Sequence, residues 1–194
     1  MKIVIINIRK EIGLQKHCIE GIFECCGIEI NYSNTPIIVL CLYRPSNDSN
    51  TVLEDFFKIL TNVIQELRLK YLKHNFFITG DFNINLLVNS KIQRQFENVL
   101  QCYNLHAMFN VPTRITSHSA TCIDNIVTDI DPTECEAKIL HNGFSDHTAQ
   151  LLIVRSITDT VINDKQWIRS FSETNLNKFL NFLRNETWAP VYKS

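Results

Sequence analysis

The sequence predicts an α+β fold. Short β-branched, apolar runs recur along the chain, separated by turn residues, and two long stripes of apolar residues at helical spacing interrupt them. With 194 residues, 45% hydrophobic content and 12 Phe, the chain can bury a proper core.

In chain order, "MKIVIINI" opens as a strand: it has one Lys and too few apolar residues for a signal sequence or a membrane span. "IFECCGIEINY" and "PIIVLCLY" are two further strands, joined by "SNT" as a hairpin. After the polar loop "RPSNDSN", Thr51 and Glu54 have capping-box spacing. The helix they announce carries Val52, Phe56, Ile59, Leu60, Val63 and Leu67 on one stripe and should run to about Lys70. "NFFITG" is a short strand expected to end in a turn at Gly80. A second helix over 91–103 places Phe96, Val99, Leu100 and Tyr103 together, and "VPTRITSHSAT" reads as a loop. "CIDNIVTDI", "AKIL" and "TAQLLIV" are three more strands. Beyond Arg155 the chain turns polar before a helical stripe of Leu176, Phe179, Leu180 and Leu183, so a boundary is expected near residue 156, dividing 1–155 from 156–194.

Charge and cysteines narrow the class. Lys plus Arg total 19 against 20 Asp plus Glu, so no global basic field draws in nucleic acid, and a polyanion needs a local site or a metal. The 7 cysteines form no CxxC pair, which argues against zinc and for free thiols in a reducing compartment. The expectation is a soluble intracellular protein of nucleus or cytoplasm, not secreted and not bound to a membrane.

Acids, amides and a histidine punctuate the strand ends. Tyr43 lies in "LYRP", Asp81 and Asn83 in "GDFN", Asp124 in "CIDNI", and Asp146 with His147 in "FSDHTAQLL". Singly each has a plain reading. Gly-Asp is a common turn, Ser-Asp-His caps or turns, and Tyr43 can be the last aromatic of its strand. Asp124 is harder to dismiss, because a carboxylate between Ile123 and Ile126 needs a partner. Strand ends of a sandwich or α/β fold gather at one edge, so these side chains could converge.

Taken in order, Tyr-x-Pro, Gly-Asp-x-Asn, Ile-Asp and Ser-Asp-His resemble the endonuclease/exonuclease/phosphatase superfamily. The longer phrases "CLYRPSN", "ITGDFNINLL", "VPTRITSHSATCIDNIVT" and "GFSDHTAQLL" are similar to the endonuclease domain of insect-type non-LTR retrotransposons, over about residues 20–190. The resemblance implies a two-sheet β-sandwich flanked by helices, the deoxyribonuclease-like four-layer fold, with its first strands missing. It implies Mg²⁺ or Mn²⁺ as cofactor, DNA as partner, and a reverse transcriptase in a longer parent polypeptide, toward which residues 156–194 would lead. No small-molecule ligand is expected.

Carried over by motif, Asp81 would orient or deprotonate the attacking water and Asn83 would hold that water or a phosphate oxygen. His147 would contact the scissile phosphate, held by Asp124, with Asp146 on the metal side and Tyr43 hydrogen-bonding a phosphate oxygen. Thr116 and Thr121 would bring hydroxyls near substrate, and Arg44 and Arg114 would be local cations. The family's metal-binding glutamate, at the end of an earlier strand, has no counterpart: Glu11, Glu20 and Glu24 lie in other contexts. The chain is therefore expected to be a poor nuclease or an inactive one. Two other readings are a superfamily enzyme acting on RNA tails, lipids or inositol phosphates, and a catalytically dead nucleic-acid-binding module.

Overall fold

The computed structural model describes residues 7–32, 35–47, 49–141, 143, 145–155 and 172–186. Strand β1 (Asn7–Ile12) pairs antiparallel with β2 (Glu24–Tyr32), which forms the expected hairpin with β3 (Thr35–Tyr43). Helix α1 (Asn50–Lys70) crosses over to β4 (Asn75–Asp81), which lies parallel to β3. Helix α2 (Lys91–Cys102) leads to the short β5 (His106–Ala107) and then to a small ribbon of β6 (Arg114–Ile115) and β7 (Ala120–Thr121). β8 (Asp124–Thr128) enters the main sheet between β4 and β5, giving the six-stranded order β1-β2-β3-β4-β8-β5. β9 (Cys135–Leu140) and β10 (Ala149–Val154) make a second antiparallel pair, and α3 (Glu173–Asn185) follows.

The core fills one face of the main sheet. Ile38, Leu40 and Leu42 of β3, with Phe76 and Ile78 of β4, meet Phe56, Leu60, Val63, Ile64 and Leu67 of α1 and Phe96 and Leu100 of α2. Alternation along β3 and β4 turns every second residue inward, and the 3.6-residue period of the helices supplies matching stripes. Each of these fully buried side chains contributes about 1.5–3 kcal/mol of transfer free energy. At the end of the sheet away from Asp81, Arg68 pairs with Asp129 at 2.6 Å and stacks 4.3 Å above Phe76, while Asp129 also accepts the Phe76 N–H at 2.8 Å.

Four expectations change. Thr51 and Glu54 do not cap α1; they lie inside it, because the helix starts two residues earlier, after Ser49. The strand "NFFITG" does not stop at Gly80 but runs through Asp81, since Leu42 and Asn125 flank Gly80 in the sheet on both sides. "VPTRITSHSAT" is not wholly loop, because Arg114–Ile115 and Ala120–Thr121 pair across a turn closed by Thr116. The strand expected over residues 1–8 continues through the polar Arg9, Lys10 and Glu11 to Ile12, because β2 pairs with it; residues 1–6 and 156–171, which include the expected boundary, lie outside the described residues. Among the described residues no helix is long and apolar enough to cross a membrane.

Candidate active site

Three strands end side by side and carry the site's polar residues. In the sheet register Tyr43 of β3 pairs with Asp81 of β4, and Asp81 pairs with Asp124 of β8. Residues sharing a register row project from the same face, so all three side chains leave the sheet on the side away from α1 and α2. His147 reaches them from the segment before β10, where its backbone bridges Arg114 of β6.

Asp81, Asp124 and His147 converge: one ligand atom from each lies within 4.8 Å of the others. His147 Nδ1 sits 2.9 Å from Asp124 Oδ2 and 3.1 Å from Oδ1, an arrangement that fixes the ring and puts the proton of the neutral imidazole on Nδ1. No described residue hydrogen-bonds His147 Nε2. Asp81 Oδ1 accepts the Asn83 N–H at 2.9 Å. Burial nevertheless pushes the Asp81 carboxyl above the usual range, with the Asp124 charge adding to it and the Asn83 N–H opposing it. A carboxylate penalised in this way gains from a cation. Two carboxylates and an imidazole at this spacing fit a divalent ion: Mg²⁺ would take the oxygens and Mn²⁺ would accept the imidazole as well.

The loop after β4 is held by Arg44. This side chain is 0% exposed. Its guanidinium donates to the carbonyls of Phe82 (2.7 Å), Asn83 (2.6 Å) and Asn47 (3.2 Å) and lies 5.6 Å above Phe56. The expectation of a phosphate-binding cation at Arg44 is therefore corrected: its donors face backbone carbonyls inside the protein. Asn83, at a φ of +47°, returns its side-chain N–H to the Arg44 carbonyl at 2.7 Å. Asparagine is one of the few side chains that tolerates this backbone region. The two residues thus clamp the turn that follows Asp81.

Other expected residues take different places. Asp146 is outside the converging trio, with its carboxylate bonded to Arg114 Nε at 2.7 Å. That guanidinium holds the Asp146 carboxyl below the usual range, and the Asp146 carboxylate raises Arg114 in turn. Tyr43 is 45% exposed and open to a ligand. Thr116 accepts the N–H groups of His118 and Ser119 and so builds the turn between β6 and β7. Thr121 pairs with Arg114 across that ribbon.

Thr113 was not anticipated. It is fully buried, donates to Asp124 Oδ2 at 2.8 Å, and accepts the N–H groups of Ile123 and Asp124 at 3.1 Å each. Its own carbonyl takes the Thr148 N–H at 2.7 Å, tying the His147 segment to the same point. Three threonines fall between residues 113 and 121, and only the β6–β7 register decides which one faces inward. Thr113→Val should destabilise the fold by about 1–3 kcal/mol in urea unfolding, because two buried N–H groups lose their acceptor, and Thr113→Ser should restore most of it. Equal stability of the Val variant and wild type would contradict this role.

No family model and no curated protein matches the sequence. The fold is shared with solved structures. The endonuclease domain of TRAS1, a telomere-specific non-LTR retrotransposon, superposes with a TM-score of 0.58 at 15% identity, over 77% of this chain and 70% of that one. An endonuclease/exonuclease/phosphatase family protein from Leptotrichia buccalis gives 0.53 at 17%, over 67% and 52%. The 3′ phosphatase NExo from Neisseria, solved with a product DNA hairpin, gives 0.51 at 16%, over 66% and 64%. The chain thus spans about half to two thirds of the length of the latter two. At these identities the likeness establishes the deoxyribonuclease-like α+β fold, as expected.

Proposed function

We propose that this chain is a divalent-metal-dependent phosphodiesterase acting on DNA, of the target-nicking kind found in non-LTR retrotransposons, and that it works within a longer polypeptide carrying a reverse transcriptase. The convergence of Asp81, Asp124 and His147 at one sheet edge, beside the exposed Tyr43, carries the reading. The likeness to the TRAS1 domain supports the choice of DNA.

Each residue then has a task set by its surroundings. Asp81, whose carboxyl burial raises above the usual range, is suited to take a proton from an attacking water. His147, oriented by Asp124 through Nδ1, would as an imidazolium donate its Nε2–H to a phosphate oxygen. Tyr43 offers a phenolic O–H to the same group. Asn83, locked by Arg44, holds the turn in register and keeps one amide N–H for the water or phosphate. Arg114, on β6 next to the His147 segment, adds positive charge, shared with Asp146. A bound Mg²⁺ or Mn²⁺, held by Asp81 and Asp124, would stabilise the charge that develops on the phosphate oxygens.

The test is nicking of supercoiled plasmid by the purified chain in Mg²⁺ and in Mn²⁺, with poly(A) and phosphoinositides as parallel substrates. Slow, chelator-sensitive relaxation of the plasmid is expected, with a shallow salt dependence because few cations contact the backbone. Turnover of poly(A) or phosphoinositides without plasmid nicking would overturn the choice of DNA.

A further inference from the structure

Strand β2 carries adjacent cysteines, Cys25 and Cys26, whose side chains leave opposite faces of the sheet. Each meets a second thiol. On the helix-covered face Cys25 Sγ lies 3.8 Å from Cys18 Sγ, and Cys18 Sγ also accepts the Cys25 N–H at 3.4 Å. On the other face Cys26 stands directly opposite Cys41 in the β2–β3 register, and the two thiols share a hydrogen bond. Cys26 and Cys41 are both exposed, whereas Cys25 packs partly against the core.

Directly opposed residues of an antiparallel pair have Cα atoms about 4.5–5.5 Å apart, inside the ~4.4–6.8 Å range a disulfide spans. We propose that Cys26 and Cys41 form an oxidisable dithiol that closes to an intrachain disulfide with a low-molecular-weight disulfide such as oxidised glutathione. The Cys26 thiolate attacks one sulfur of the oxidant, forming a mixed disulfide and releasing one glutathione thiolate, which takes up a proton. Cys41 then gives its proton to solvent and attacks the Cys26 sulfur, expelling the second glutathione. Two protein thiols are oxidised to one disulfide, and one glutathione disulfide is reduced to two thiols.

The pair has an internal competitor in Cys18 and Cys25. Burial pushes the Cys25 thiol up to about 12, with Cys18 adding to the effect, and burial raises Cys41 as well, so accessibility separates the pairs: Cys25 is partly buried against the core, whereas both Cys26 and Cys41 are exposed. The exposed pair on the opposite face therefore reacts first. Its place matters because Cys41 lies two residues before Tyr43 on the same face, one row of side chains from the converging carboxylates. The proposal does not depend on the phosphodiesterase reading.

The test is to reduce the full chain, incubate it with millimolar oxidised glutathione, block free thiols and map the peptides by mass. The expected product has lost two hydrogens, links Cys26 to Cys41, melts about 5 °C higher than the reduced chain and reverts in dithiothreitol. Cys26→Ser and Cys41→Ser should each prevent the link, while Cys18→Ser should not. A Cys18–Cys25 link formed first, glutathione adducts without a link, a link between two chains, or unchanged thiols would each overturn it. These masses are read on the wild-type chain, so the outcome does not depend on whether a variant folds.

Discussion

Asp81→Asn is expected to lower metal-dependent nicking by a factor of about 10²–10⁴ while leaving the protein folded and no less stable at neutral pH. The two halves of this result have one cause. Burial first, and the neighbouring Asp124 charge second, raise the Asp81 carboxyl in the folded chain. A carboxyl raised on folding stabilises the fold while protonated, and that contribution is lost as pH rises from its unfolded value through its folded one. Above that window the ionised group is a net penalty. Asparagine keeps the oxygen that accepts the Asn83 N–H and removes the charge. Urea unfolding at pH 7 should show Asp81→Asn equal to or above wild type, with any difference vanishing in acid. Mn²⁺ should raise the melting temperature of wild type and should raise that of the variant much less, since the ion relieves a penalty the variant lacks. Wild-type nicking by the Asn variant would remove Asp81 from the chemistry; a large loss of stability would show that its carboxylate is structural.

How much of this could be read from the chain depended on whether local pattern or long-range register decided the matter. The stripes of α1 and α2 and the apolar runs of β2, β3, β8 and β10 are local, and the structure forms them where they were expected. The short strands β5, β6 and β7, two residues each, have no period to detect and arise because neighbouring backbone offers partners. The same division runs through the site. Asp124 was legible because an acid inside an apolar run must be compensated, and His147 and Thr113 compensate it. Arg44 could not be placed from its sequence. An arginine beside a tyrosine and a proline looks like an exposed cation, and only the fold shows three carbonyls converging on it in the interior. Asp146 and Arg114 are separated by 32 residues, and their ion pair follows from the strand crossing that brings Ile115 N–H to the Asp146 carbonyl.

Gly80→Ala should be the most destabilising single methyl group that can be added to this sheet. Gly80 has a φ of +143°, and a Cβ built on it would lie 1.8 Å from the Leu42 carbonyl oxygen. Neither atom can move cheaply, because both belong to the paired backbones of β3 and β4. The cost is backbone strain plus displacement of a strand, about 3–5 kcal/mol, a large part of the 5–15 kcal/mol that holds a domain of ordinary stability together. Gly21→Ala is the control: its φ is +74°, but nothing lies within 4 Å of the added carbon, so it should cost only about 1 kcal/mol. Urea unfolding of the two variants separates the explanations. Equal losses would mean that positive φ alone makes glycine necessary at position 80. A much larger loss at Gly80 would mean that its missing side chain is what lets β3 and β4 approach closely. That approach sets Tyr43 beside Asp81 in the next row, so the glycine before the acid shapes the sheet edge from which the site is built.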